Sequence, residues 1–174
     1  DGSGNVYVAD SYNDRIQVFD SDGGFLRTWG AFGSDPGEFS YPRGVAVDTA
    51  GNVYVADTYN DRVQKFTSSG TPLTQWGTTG AGNGQFDSPF GVAVNGTTDV
   101  YVTDTDNNRV QRFTSTGSFV TACGGQGTAT GQLDSPRGVA VDSSGNVFVA
   151  DTYNSRIEKF EPSGDFSTAW GVYG

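Results

Sequence analysis

The chain repeats itself with a constant step of 47 residues. Val6-Tyr7-Val8-Ala9-Asp10 returns as Val53 to Asp57, as Val100-Tyr101-Val102-Thr103-Asp104, and as Val147-Phe148-Val149-Ala150-Asp151. Trp29, Trp76, Cys123 and Trp170 keep the same step, and so do Arg15, Arg62, Arg109 and Arg156. Pro42-Arg43-Gly44-Val45-Ala46-Val47-Asp48 returns from Pro89 and again from Pro136. A fixed period of this length means one supersecondary unit stacked several times, each copy burying a face that it cannot bury alone.

Each full period holds four short extended runs. In the second period they are Gly44 to Val47, Val53 to Ala56, Arg62 to Phe66 and Leu73 to Trp76. Val, Tyr, Phe and Thr dominate these runs, and Gly, Asn, Asp and Ser separate them. No stretch has helical periodicity. The first two runs are apolar on consecutive residues, which requires a sheet covered on both faces. A β-propeller meets that requirement, because each four-stranded blade lies between two others. Val45, Val47, Val53, Val55 and their counterparts are therefore expected in the core. The third run mixes polar and apolar residues, as expected further from the axis.

The pattern Pro-x-Gly-Val-Ala-Val-Asp, then Gly-Asn-Val-Tyr-Val-Ala-Asp, then Asn-x-Arg-Val-Gln-Lys-Phe resembles the NHL repeat family, and does so along essentially the whole chain. The resemblance implies an all-β propeller of four-stranded antiparallel blades, usually six to a ring. One position departs from the family pattern: the histidine of the Asn-His pair is replaced by Asp14, Asp61, Asn108 and Ser155. Residues 1–174 read as one propeller segment with units at about 1–33, 34–80, 81–127 and 128–174. The first unit is incomplete, because no Pro-x-Gly-Val-Ala-Val strand precedes Val6. About four blades are thus expected, as part of a larger ring or as an open piece that assembles. Open end blades would expose apolar faces and allow self-association.

Composition narrows the chemistry. The net charge is −10 and only two lysines occur, so a phosphate backbone is an unlikely partner and nucleic acid is not expected. No apolar run approaches the ~20 residues needed to span a bilayer. The chain contains no histidine, which removes the commonest general base and zinc ligand. Cys123 is the only cysteine and takes a tryptophan position, so it reads as a small apolar filler. Asp104-Thr105-Asp106-Asn107-Asn108 has oxygen ligands at alternate positions. It lacks the glycine and the distal glutamate of a calcium loop, so Ca2+ is the one cofactor raised and a solvated turn is favoured.

Two sets of polar residues stand out. Asp10 with Arg15, Asp57 with Arg62, Asp104 with Arg109 and Asp151 with Arg156 recur in every unit, together with Asn13, Asn60, Asn107 and Asn154. Four identical copies favour a structural turn and ion pair over a catalytic array. Positions that break the repeat are better binding candidates. The residue before the repeated glycine is Arg43, Phe90 or Arg137, and the residue two past the repeated aspartate is Tyr12, Tyr59, Asp106 or Tyr153. In a propeller both positions fall on one loop face, around the channel mouth. The expected function is a non-catalytic scaffold holding a protein, peptide or glycan there, in an extracellular or cell-surface setting. The alternatives are a self-assembling surface subunit, and a piece of a propeller lyase or hydrolase whose catalytic residues lie in other blades.

Overall fold

In the computed structural model, which describes residues 1–171, the four copies fold into four antiparallel sheets. The first has three strands: β1 (Val6–Asp10), β2 (Arg15–Phe19) and β3 (Phe25–Trp29). The second holds β4 (Pro42–Val47), β5 (Val53–Asp57), β6 (Arg62–Phe66) and β7 (Pro72–Trp76). The third holds β8 (Pro89–Asn95), β9 (Asp99–Asp104), β10 (Arg109–Thr114) and β11 (Phe119–Gly124). The fourth holds β12 (Pro136–Val141), β13 (Val147–Asp151), β14 (Arg156–Phe160) and β15 (Phe166–Trp170). Strands follow sequence order within each sheet, which is the meander of a propeller blade. The only helical segments among the described residues are single 3-10 turns at Ser11–Asn13 and Thr58–Asn60. Among the described residues no helix is long and apolar enough to cross a membrane. The segment 172–174, which continues the match to Ala31-Phe32-Gly33, lies outside the described residues.

Innermost strands β4, β8 and β12 pack side by side, and each second strand (β1, β5, β9) leans on the innermost strand of the next blade. The core is accordingly laminated. Ile16, Phe39, Val53, Val55 and Phe66 fill the first joint between blades. Tyr54, Val63, Phe86, Val102 and Phe113 are in the second, and Tyr101, Val110, Leu133, Val149 and Phe160 are in the third. Phe39, Phe86 and Leu133 are fully buried plugs carried by the loops between blades.

Three details depart from the sequence reading. Strand one begins at Pro42 rather than Gly44, with a register shift between Pro42 and Val45. β4 is the free inner edge of its sheet, where a proline interrupts no ladder. Gly44 sits in that bulge because the next blade's backbone crosses it: a Cβ there would lie 2.5 Å from the Phe90 carbonyl oxygen. Next, Val53 and Val55 are fully buried, but Val45 and Val47 are only half-buried. β4 faces the three-stranded first sheet on one side, whereas Val92 of β8, flanked by β4 and β12, is buried. The first-blade counterparts of Val53 and Val55, Val6 and Val8, are 52% and 39% exposed, because no sheet among the described residues covers that face. Last, the polar residues of the third run point inward: Gln64, Gln111 and Glu158 are buried.

Adjacent blades also meet at an outer joint. The tryptophan ending one blade packs against a glycine in the β-hairpin of the next. At Gly117, which has φ +90°, a Cβ would lie 2.8 Å from the Trp76 ring. Gly23 occupies the same turn position with φ +85° but has nothing within 4 Å of its ideal Cβ. Gly117→Ala should therefore cost about 2–3 kcal/mol, combining backbone strain with overpacking, and Gly23→Ala only about 1 kcal/mol. Urea denaturation of the two variants measures the difference; equal losses would mean that the tryptophan–glycine contact adds nothing.

Candidate functional site

A fully buried aspartate anchors each complete blade. Asp57 accepts hydrogen bonds from the Ser40 amide at 2.7 Å, Asn60 Nδ2 at 2.9 Å, Arg62 Nε at 2.7 Å and Gln64 Nε2 at 3.0 Å. Arg62 gives its remaining donors to the carbonyls of Ser34, Asp35 and Glu38. The carboxylate is thus enclosed, and the loop entering the blade is wrapped around its arginine. Asp104 with Arg109 and Asp151 with Arg156 repeat the pair, both at 2.7 Å, with aspartate side chains wholly excluded from solvent. Asp10 pairs with Arg15 at 2.8 Å on the open face of the first blade. The environments differ in effect. Hydrogen bonds from Arg15 and Asn13 hold Asp10's carboxyl below its ordinary pKa, whereas burial pushes Asp104's above it. These carboxylates spend their lone pairs on the fold, which leaves none directed at a substrate. No group of three or more acidic, histidine or cysteine side chains is placed to hold a metal among the described residues. Asp104 faces inward to Arg109 while Asp106 is exposed, so the two do not converge as calcium ligands would.

The loop before strand one and the loop after strand two are tied together, as in the Tyr59 amide donating to the Ser40 carbonyl at 3.0 Å. That tie gathers the mouth residues. Arg43's guanidinium carbon lies 4.7 Å from the Tyr41 ring centroid and 4.6 Å from that of Phe90, over both rings. Arg137 lies 5.5 Å from the other end of the series, again at Phe90. Tyr41 stacks on Tyr59 with centroids 5.1 Å apart and meets Tyr12 edge-on at 4.9 Å. The Tyr12 hydroxyl pushes Tyr41's phenol above its ordinary pKa. Tyr12, Tyr41, Tyr59, Arg43, Phe90 and Arg137 therefore form one continuous ladder across the first four blades' mouth. Asp106 and Tyr153 are exposed on the equivalent loops of later blades and join no aromatic or ionic pair among the described residues. An open depression lined by Val8, Ser11, Tyr12, Tyr41 and Arg43 borders the ladder.

Tyr41 is the member that the sequence reading missed. Its counterparts are Ser88 and Ser135, and all three hold left-handed backbone, at φ 58°, 56° and 47°. A bulky residue there is a genuine outlier, and such strain gathers at functional positions. The substitution of tyrosine for serine in an otherwise regular repeat was the available signal.

The repeat geometry decides the family. The NHL repeat family model matches residues 39–66, 86–113 and 133–160. The chain is an NHL-repeat protein. No curated protein sequence matches it. Among solved structures it is similar to a streptogramin B lyase, with a TM-score of 0.75 and 18% identity over 100% of this chain and 53% of that one. It is also similar to virginiamycin B lyase from Staphylococcus aureus, with a TM-score of 0.73 and 15% identity over 98% of this chain and 53% of the other. Dihydro-heme d1 dehydrogenase NirN gives a TM-score of 0.67 and 13% identity, over 99% of this chain and 36% of that one. The chain spans about half the length of the two lyases. At these identities the likeness is one of fold.

Within the NHL repeats, the position that replaces the family histidine has a mechanical role. Asp14, Asp61 and Asn108 hold left-handed backbone, and their side-chain oxygens accept the amides of Tyr41, Ser88 and Ser135 in the following blade, at 2.7–2.9 Å. Aspartate and asparagine tolerate that backbone and supply the acceptor. The last NHL repeat differs at Glu158, which takes the glutamine position. Gln64 and Gln111 donate to the hub aspartate at 3.0 Å; an ionised Glu158 has no proton to give. It accepts from the Gly131 amide and from Arg156, but its Oε2 is buried without a partner. Burial pushes its carboxyl up in pKa, against the opposing pull of Arg156. Burial also pushes the neighbouring Cys123 thiol up to about 12, with Glu158's charge adding to the shift, so the thiol stays protonated and unreactive at neutral pH.

The sign of the Glu158 effect follows from linkage. Its folded pKa lies above the ordinary 4.5, so its contribution is fully present below that value and is lost as pH rises through the folded pKa. Glu158→Gln should raise stability by about 1 kcal/mol at pH 7 by restoring the donor. The gain should vanish at pH 4, where the native carboxyl is protonated. Paired denaturation curves at both pH values test this, and a gain independent of pH would contradict it.

Proposed function

We propose that this NHL propeller segment is a non-catalytic binding module that holds a protein, peptide or glycan ligand against the Tyr41–Arg43–Phe90 ladder. The observation that carries the reading is Tyr41, a tyrosine kept in left-handed backbone where the repeat otherwise has serine. Around it, Tyr12 and Tyr59 are 85% and 61% exposed. Clustered exposed tyrosines with arginine are typical of binding anchors, and a packing role alone does not account for rings left in solvent. The absence of histidine from the sequence and the full engagement of the hub carboxylates support a role without turnover. The similar lyases lend fold and no residue to this reading. An extracellular or cell-surface setting is proposed with it, on the Ser-, Thr-, Asn- and Gly-rich, lysine-poor composition.

Tyr41→Ser supplies the direct test, because serine is native at the same place in the next two blades. On glycan and peptide arrays the native chain should bind a restricted set of ligands, and Tyr41→Ser should weaken that binding at least tenfold with its melting curve unchanged. Turnover of lactones, phosphoesters and peptidyl-glycine amides should stay at background. Unaltered array binding by Tyr41→Ser and Tyr59→Ser would refute the mouth as the site.

A second reading rests on the two outer faces. Val6 and Val8 on the first blade and Trp170 on the last, at 48%, are exposed, where Val53 and Val55 are buried and Trp29 and Trp76 half-buried. Head-to-tail self-association of this chain would cover both faces. Sedimentation should then show concentration-dependent association that Trp170→Ser abolishes, and a monomer at all concentrations would refute it.

A further inference from the structure

The eight arginines fall into three groups. Arg15, Arg62, Arg109, Arg112 and Arg156 each meet a carboxylate within 3 Å. Arg27 donates to the Ser68 carbonyl at 2.9 Å. Arg43 and Arg137 are in no ion pair among the described residues, and Arg43 Nε is buried with no hydrogen-bond partner at all. The chain carries 20 acidic residues against 10 basic ones, so carboxylates are not scarce. Both unpaired guanidiniums nevertheless flank the same Phe90 ring at the mouth. An unpaired charge held against aromatic rings, with its donors unused, is an electrostatic vacancy for an anion.

The packing limits the direction of approach. Arg43 lies over the Tyr41 and Phe90 rings and its Nε is buried, so its two terminal nitrogens, which make no hydrogen bond among the described residues, are the donors left to an anion. An edge of parallel N–H donors matches a carboxylate bidentately. Beside it, Tyr12 and Tyr59 offer exposed ring faces. A flat ring with C–H bonds on its face and a carboxylate at its rim satisfies both features.

Resting on the binding reading above, we infer that the mouth takes an acidic saccharide, with carboxylates of successive uronic-acid units on Arg43 and Arg137 and neighbouring sugar faces on Tyr12 and Tyr59, which Tyr41 holds in place. An acidic peptide would meet the two arginines but leave the tyrosine faces wet. The net charge of −10 opposes any anion at long range. That repulsion is screened over about 8 Å at physiological salt, so the two arginines govern the contact itself.

Titration calorimetry with a galacturonate tetrasaccharide, its neutral methyl ester and an Asp/Glu hexapeptide tests the inference. The uronate should bind at least tenfold more tightly than its ester and weaken as salt is raised. Arg43→Gln and Arg137→Gln should each reduce uronate affinity tenfold or more, and Tyr41→Ser should do the same. Arg137 is exposed and has no polar partner, so its variant keeps the fold even where Arg43→Gln does not. Equal binding of acid and ester, or unchanged affinity in Arg137→Gln and Arg43→Gln, overturns the charge assignment and leaves the binding module standing. Binding of the hexapeptide in place of the uronate overturns the saccharide assignment alone. Silence of all three probes together with arrays insensitive to Tyr41→Ser overturns both.

Discussion

The buried ion pair between Asp57 and Arg62, repeated in the later blades, is the constraint on which the rest of the structure depends. A carboxylate and a guanidinium removed from water are costly unless every donor and acceptor is matched. Asn60 and the strand residues Gln64 and Gln75 supply part of the match. The rest is the amide of Ser40 and the carbonyls of Ser34, Asp35 and Glu38, all on the loop that enters the blade. Satisfying the charge therefore fixes the loop. The loop in turn seats the Phe39 plug in the core and delivers Tyr41 to the mouth in a single conformation. Stability and the candidate site share one set of hydrogen bonds.

The joints between blades use a second, weaker device. Ser11, Thr58 and Thr105 hydroxyls donate to the carbonyls of Pro42, Pro89 and Pro136 in the following blade, at 2.6–2.8 Å. Thr152 turns back to the Ala150 carbonyl at 3.3 Å instead. These stitches lie on the mouth face, close to the ladder. Motion of one blade against the next would separate Arg43 from Phe90, because the two are carried by adjacent innermost strands. The ladder is therefore as rigid as the joints beneath it.

Much of this was legible in the sequence. The constant step and the consecutive apolar runs define covered blades, and Asp, Asn and Arg at fixed offsets mark their turns. Phe90 was a candidate beside Arg43 and Arg137 because it differs where the repeat is otherwise constant. Other features were hidden for physical reasons. Mixed polarity placed the third strand further from the axis but did not show that Gln64 and Gln111 are drawn inward by a carboxylate that only the folded hub brings near. The half-burial of Val45 and Val47 depends on what lies beside β4, a three-stranded sheet, and composition does not record this. Tyr41 lies outside any strand, in a loop whose left-handed backbone shows only in three dimensions. Glu158 leaves no mark on the strand pattern, since one atom separates it from glutamine and the pattern is indifferent to that atom.

The tryptophan–glycine contact gives the blade an orientation along the chain. Each blade presents an indole forward and receives one on a bare α-carbon from behind, so the two surfaces of a blade are different and complementary. A unit copied in tandem brings its own matched surfaces, and new joints need no new residues. Where Cys123 replaces the indole, the third blade meets the Gly164 hairpin with a smaller side chain. Such a junction is freer to adjust its angle than its tryptophan counterparts. Lineages that gain or lose blades would be expected to carry small residues at the junctions flanking the change, where the curvature of the ring must be reset.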